Sequence, residues 1–272
     1  RSDGSGGDLV VDRTPAFYRE LLGAAGLMDN ASAIPAIYRV EDALADGRAS
    51  AWMLRRLREH PAIAAMIRER YLRAEPVPLD RLRTLGEGTL GRAIASHVED
   101  NGLVAEYYEA VEVRDDLTYV LARVRECHDV WHAVLGFAPT FVGETGQKAF
   151  EMAQLNRPMA GVVVATAILR YAVGHPEQQA ALMAAVAEGY AMGLRAGPLL
   201  AERWEQAWDE PLAAVRERLN IPAEGARHSG RDDPTGIHPA AKARGGVGGA
   251  TGGGPNGPAA NLIEPKRGNV PA

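Results

Sequence analysis

Apolar residues return every three or four positions along most of the chain and nowhere alternate with polar ones, which predicts helices and no strands. Thr14 offers an N-cap with Pro15 at the first helical position, so a first helix is expected to run to residue 22. From there to about residue 83, breaks at Pro35, Gly47, Pro61 and the pair Pro76 and Pro78 divide the pattern into several short scaffold helices. Trp52, Leu54 and Leu57 mark one of their apolar faces, and Ile63, Met66, Ile67 and Leu72 another. A helix over 90–100 and an amphipathic segment over 103–113 follow. The strongest element spans 115–137, with Leu117, Val120, Leu121, Val124, Trp131, Val134 and Leu135 on one stripe and Asp115 and Asp116 at its start. After a break at 136–139, Thr140 caps the next helix. Residues 159–173 are apolar nearly all round and should be central; 176–194 and 198–208 are amphipathic, and 211–219 closes the core.

The expected fold class is therefore all-α: a single-domain helical bundle over 13–222, preceded by a flexible arm at 1–12. Composition shifts beyond Pro222, where the last 50 residues hold 12 of the 30 glycines and 6 of the 17 prolines, so 223–272 reads as a disordered tail with His228 and His238 exposed in it. The stretch from Gly86 to Gly91 matches the dinucleotide-binding glycine pattern, but no buried strand precedes it, and the glycines are expected to form a loop into a helix.

Composition narrows the function classes. A hydrophobic content of 46% suits one sizeable core, and a net charge of −5 supplies no field for nucleic acid. The single cysteine, Cys127, excludes an internal disulfide and reads as a core thiol in a reducing compartment. The longest apolar run, 11 residues over 159–169, is about half of what a bilayer span needs, and no signal-peptide pattern appears. A cytoplasmic location is the expectation. The arginines at 55, 56, 58, 68, 70 and 73 read as a solvated face that could also meet an anionic membrane.

The chemistry lies on the 115–137 helix. His128 falls on its apolar stripe, and His132, four residues on, projects beside it. A lone histidine there would read as a hydrogen-bonded core residue, but a chance His-Asp-x-x-His in this composition is roughly a one-in-a-hundred event. Glu144 sits near the N-terminus of the next helix, where the dipole and free amides favour its ionised form. The short loop makes the two helices antiparallel neighbours, so Glu144 can swing back as a third ligand. Asp129 lies about 100° round the helix from His128 and reaches an ion only at the edge of the face, or supports a ligand, or acts as a base. Two imidazoles and two carboxylates suit a divalent ion, zinc first, with cobalt, manganese and iron compatible. Zinc peptidases carry Glu where this chain has Asp129, which argues against that class.

His128-Asp129-x-x-His132 followed at a distance by Glu144 resembles the signature of the coenzyme Q biosynthesis family known as Coq four. Arg125-Glu126, Trp131, Leu135-Gly136, Gly143, Lys148, Phe150-Glu151 and Arg157-Pro158-Met159 fit the same pattern, as do Thr89-Leu90-Gly91 and the closing stretches 208–212 and 219–221. The similarity covers about 86–222. It implies a helical fold, a divalent metal at His128, Asp129, His132 and Glu144, and a polyprenylated aromatic acid as substrate. The implied reaction is decarboxylation at C1 of 4-hydroxy-3-methoxy-5-polyprenylbenzoate, with hydroxylation at that carbon as an oxidative version. On that reading Asp129 or Glu126 moves the proton, and Lys148 pairs with an anionic substrate group or serves as a structural ion-pair partner. Met152, Met159 and the 162–168 run could shield the prenyl chain or simply be core. Expected partners are other ubiquinone biosynthesis proteins and the inner face of a membrane; a homodimer is left open. Two rival readings remain. One is an HD-type phosphohydrolase using His97, His128-Asp129 and Asp209; the other is a non-catalytic assembly protein that binds prenylated intermediates.

Overall fold

The computed structural model describes residues 34–103 and 110–234. The expected arm at 1–12, the helix at 14–22, most of the 103–113 segment, and the chain from 235 on, with His238, lie outside the described residues. Ten helices make up the described part: α1 (Ile34–Leu44), α2 (Arg48–Glu59), α3 (Pro61–Glu69), α4 (Leu79–Arg83), α5 (Leu90–Asp100), α6 (Asp116–Leu135), α7 (Phe141–Leu155), α8 (Pro158–Gly174), α9 (Gln179–Arg195) and α10 (Leu212–Arg218). There is no strand among the described residues, and the all-α expectation holds.

α6 is the axis. Asp115 accepts from Thr118 N at 2.8 Å while Thr118 Oγ1 accepts from Asp115 N at 2.9 Å, a reciprocal cap that starts the helix where its acidic pair predicted. Tyr119, Val120, Val124, Cys127, Val130, Trp131, Val134 and Leu135 are buried in the main core, so the stripe of the sequence is the face that packs. Gly136 ends the helix in the left-handed conformation at φ 85°, and a Cβ there would stand 2.9 Å from Ala226 N, so glycine is required twice over.

α7 packs along α9 more extensively than any other pair of helices meets. The approach depends on two glycines: a Cβ on Gly189 would lie 2.0 Å from the Gly146 carbonyl oxygen, which is backbone and cannot yield. The pairings Gly146 with Gly189 and Phe150 with Gly193 advance together, so the two helices run parallel with α8 as the crossover. Gly189→Ala should cost about 2–3 kcal/mol by pushing the helices apart, readable as a lower urea midpoint at unchanged slope; a midpoint equal to wild type would contradict this packing.

Four expectations change. Residues 159–173 are not central all round: Leu169 is 52% exposed and Val173 is 83% exposed, because α8 lies at the edge and buries only the side carrying Met159, Val164, Ala167 and Tyr171. Residues 198–208 form two short 3₁₀ turns in place of an amphipathic helix, with Leu199, Leu200, Trp204 and Trp208 buried from an irregular chain. Trp52 faces outward beneath the Arg55 guanidinium at 4.3 Å; Ser50, Met53 and Leu57 form the buried face of α2.

The fourth is the tail boundary. Residues 223–234 are tied to the bundle: Ala226 N donates to Leu135 O at 2.7 Å and Ala138 N donates to Ser229 O at 2.8 Å. Thr140 Oγ1 donates to Gly230 O at 2.7 Å, and Val142 N donates to Asp233 Oδ2 at 3.0 Å. The domain therefore extends at least to residue 234, with His228 exposed as expected. This strap crosses the loop between α6 and α7, the segment that sets the position of Glu144. The glycine loop at 86–91 does lead into a helix; Gly91 is buried against Leu82, Leu85 and the Trp208 carbonyl, so it serves packing.

Candidate metal centre

The two histidines of α6 and the glutamate of α7 meet where the helices cross. Thr140 accepts from Gly143 N at 3.1 Å and starts α7, which puts Glu144 in its first turn. The contacts between the two helices pair 132 with 144 and 128 with 147, the opposed order of antiparallel neighbours. His132 Nε2 lies 3.2 Å from His128 Nε2 and 3.2 Å from Glu144 Oε1, and His128 Nε2 lies 3.4 Å from Glu144 Oε2. A tetrahedral site with bonds of ~2.0–2.1 Å has an edge of about 3.3 Å, close to the separation of the two imidazole nitrogens and of each nitrogen from its own Glu144 oxygen, so the group could hold a zinc-like ion. Among the described residues no fourth histidine, cysteine, aspartate or glutamate joins the group. Three protein ligands with a further position open is the pattern of catalytic rather than structural zinc.

Hydrogen bonds behind the ligands orient them. His132 Nδ1 lies 3.0 Å from the Phe137 carbonyl, so Nδ1–H donates to it and the Nε2 lone pair faces the triangle. His128 Nδ1 faces the amide of Gln147 at 3.1 Å. The same amide nitrogen donates to the His128 carbonyl at 3.2 Å, which fixes the amide's orientation beside the ring. The donor set and its support fit a divalent ion.

Electrostatics agree with an ionised carboxylate. Burial pushes Glu144 up, but the two imidazoles outweigh it and hold the carboxyl well below its usual range. Burial, aided by Lys148, depresses His128, whereas Glu144 overcomes burial at His132 and raises it. His97 stacks on His132 with centroids 5.1 Å apart, its Nε2 has no hydrogen-bond partner among the described residues, and burial followed by His132 pushes it down to about 3.

The remaining site expectations separate. Asp129 stays outside the triangle: it lines a cavity of about 250 Å³ on another side of α6, with Glu126 and the apolar Ile94, Val98 and Val130. The angular offset along α6 accounts for this, since about 100° carries its carboxylate off the ligand face. Glu126 accepts from Arg73 N at 2.5 Å and pairs with Arg123, a fixed structural position away from the ligands. Lys148 is near the centre: with His128 and Glu144 it lines a small cavity of about 40 Å³, while its Nζ donates to Glu151 at 2.5 Å. Asp209, required by the phosphohydrolase reading, is exposed and paired with Arg81 at 2.8 Å, so the centre forms without it.

Other residues were missed. Glu41, Arg125 and Arg157 line the same small cavity; Glu41 and Arg157 are 116 positions apart, and no local pattern links them. Gln147 carried a usable signal, since it follows Glu144 by three residues and shares its helix face.

A helical bundle enclosing two histidines and a glutamate that could hold a divalent ion defines the class. The chain matches the profile of the family described as coenzyme Q (ubiquinone) biosynthesis protein Coq4 over residues 28–224, and it belongs to that family. The match begins well ahead of residue 86, where motif resemblance alone had begun. Membership implies a role in ubiquinone biosynthesis. A relative named ubiquinone biosynthesis protein coq4, mitochondrial, from Botryotinia fuckeliana is 30% identical over 79% of this chain and 73% of its own length. The relative of that name from Aspergillus flavus is 34% identical over 74% of this chain and 66% of its own length. A candidate ubiquinone biosynthesis protein from Nostoc punctiforme, solved by crystallography, is 31% identical, covers 74% of this chain and 96% of its own, and superposes with a TM-score of 0.67. No helix among the described residues is long and apolar enough to cross a membrane.

Proposed function

We propose that this protein is a metal-dependent carboxy-lyase of ubiquinone biosynthesis, removing the C1 carboxylate of 4-hydroxy-3-methoxy-5-polyprenylbenzoate. The observation that carries the reading is the triangle of His128, His132 and Glu144, two of whose members, His128 and Glu144, line a cavity whose wall also holds Arg125, Lys148 and Arg157. Two imidazoles and one carboxylate suit zinc first, with cobalt, manganese and iron as alternatives. When bound, the ion supplies a Lewis acid that stabilises negative charge on substrate oxygens.

The chain's own groups account for the rest. The C1–carboxyl bond breaks, its electron pair stays on the ring carbon, carbon dioxide departs, and the ring carbon takes a proton. Among the residues proposed to serve that chemistry, Lys148 faces the ligands' cavity, whereas Asp129 and Glu126 line the cavity elsewhere on α6. Lys148 is therefore assigned to the substrate side. Asp129 is assigned to the edge of the centre, where its charge reaches His132. Apolar surface for the prenyl chain is available beside the cavity at Met159 and in the groove of Trp52, Met152, Gly161 and Tyr190.

Single-turnover incubation of purified, metal-loaded protein with the polyprenylated acid should release about one carbon dioxide per chain. Oxygen uptake at the same stoichiometry would identify the oxidative version. Measured substrate binding with no release would overturn the catalytic reading and leave a prenyl-lipid-binding protein of the same pathway.

A further inference from the structure

The small cavity at the metal ligands already contains a carboxylate, and it belongs to the protein. Glu41, on α1, is 6% exposed and spans two guanidinium groups: its Oε1 accepts from Arg157 Nη2, and its Oε2 accepts from Arg125 Nη2 at 2.6 Å. Both arginines line the same cavity as His128 and Glu144. A carboxylate bridging two planar forks is the strong, directional form of ion pairing, and here it forms beside the metal triangle.

The rest of the network shows that the arginines do not depend on Glu41 alone. Arg157 Nη1 also donates to Glu151 Oε2 at 2.6 Å, and Glu151 takes Lys148 on its other oxygen. Arg125 lies over the Tyr38 ring at 4.2 Å. Arg125, Lys148 and Arg157 on the wall carry three positive charges against Glu41 and Glu144 on the wall and Glu151 behind it, so withdrawal of Glu41 leaves the guanidinium pair one anion short. A ligand carboxylate restores the balance.

α1 is also the element held most lightly over the cavity. Its buried Ala36 and Val40 pack with Met159 in a small cluster separate from the main core, and α8 is its principal neighbour. Among the described residues α1 is held by that apolar patch, by the ion pairs of Glu41 and by Tyr38 beneath the Arg125 guanidinium, and two of these three attachments run through the arginines.

We propose that Arg125 and Arg157 form the subsite for the carboxylate of an aromatic acid, and that Glu41 is an internal occupant which the acid displaces. The proposal rests on the carboxy-lyase reading for the identity of the acid. It gives α1 a defined task. The acid competes with Glu41 for the two guanidiniums, and α1 shifts as Glu41 leaves them. After loss of the carboxylate the product has no claim on the arginines, and Glu41 returns. The exchange distinguishes substrate from product by the one group that differs between them.

The test uses 4-hydroxy-3-methoxybenzoate as probe for the acid and 2-methoxyphenol, its decarboxylated counterpart, as the neutral control, both titrated calorimetrically into the full chain. Glu41→Gln removes the competing charge while keeping size and hydrogen bonding, and should tighten the acid about tenfold while leaving the phenol unchanged. Arg125→Gln, at a partly exposed position that disturbs the buried network less than a change at Arg157, should weaken the acid about tenfold and spare the phenol. Unchanged or weaker acid binding in a folded Glu41→Gln protein overturns the proposal. If Glu41→Gln does not fold, Arg125→Gln decides, and equal weakening of both probes overturns it. The two readings fail separately: carbon dioxide release without these affinity shifts removes the subsite, and the shifts without release remove the lyase.

Discussion

Protein purified and dialysed against metal-free buffer retains about one divalent ion per chain, and Glu144→Ala retains less than about a tenth of that. This result is expected because the two imidazole nitrogens stand 3.2 Å apart and each lies 3.2 to 3.4 Å from an oxygen of Glu144, near the spacing an ion with bonds of ~2.0–2.1 Å imposes. Loss of one donor from three leaves two. Changes in groups that merely orient ligands typically cost 10–100-fold in affinity, so removal of a ligand should exceed about 100-fold. Gln147→Leu, which removes the amide at His128 Nδ1, belongs to the weaker class and should lose roughly tenfold. Elemental analysis of wild type, His128→Ala, His132→Ala, Glu144→Ala and Asp129→Ala decides the ligand set. The family resemblance implies four ligands, whereas the structure groups three. Retention of the ion in Asp129→Ala supports the three-ligand centre; its loss places Asp129 in the coordination sphere. A metal-free wild type would remove the centre altogether, and an ion retained in Glu144→Ala would revive the phosphohydrolase alternative.

The parts of this molecule that sequence reading reached are those where one helix carries the whole signal. His128 and His132 share a face because four residues span about one turn, and Glu144 joins them because Gly136 and Thr140 stop one helix and start the next within a short loop. The 100° offset of Asp129 was visible too, and the donor atoms that group together are those of His128, His132 and Glu144. Pattern failed where tertiary context decides. The apolar run on α8 could not announce that one of its faces is left uncovered by the described residues, and the buried tryptophans at 204 and 208 sit on turns whose periodicity resembles a helix. The strap at 223–234 disappeared into a glycine-rich average taken over 50 residues, although its attachment is made by backbone groups and by a glycine at 136 that its own Ala226 approaches. Glu41, Arg157 and Glu151 form a site only in three dimensions, and charge pairs at such separations leave no periodic trace.

That buried network carries the largest expected effect on stability. Arg157→Met should destabilise the fold by about 3–5 kcal/mol in urea titrations, because it takes one cation from between two buried carboxylates and leaves Glu151 with Lys148 alone and Glu41 with Arg125 alone. Its pH dependence can be assigned a sign. Burial pushes the Glu151 carboxyl up, yet Lys148 and Arg157 outweigh burial and hold it at about 2, against 4.5 for an unperturbed glutamate. The folded value lies below the unfolded one, so the stabilisation is fully present above about pH 4.5 and is lost as pH falls toward 2. A displacement of that size corresponds to about 3 kcal/mol at neutral pH. Glu144 and Glu41 are also depressed and lose stabilisation in the same direction, so wild type alone cannot isolate Glu151. The difference between wild type and Glu151→Gln can. That difference should be constant above about pH 5 and shrink as the pH is lowered, because the wild-type carboxyl becomes neutral like the amide that replaced it. A difference that does not vary with pH would mean that Glu151 gains nothing from its two cations. The arginine would then be held by packing and by Glu41.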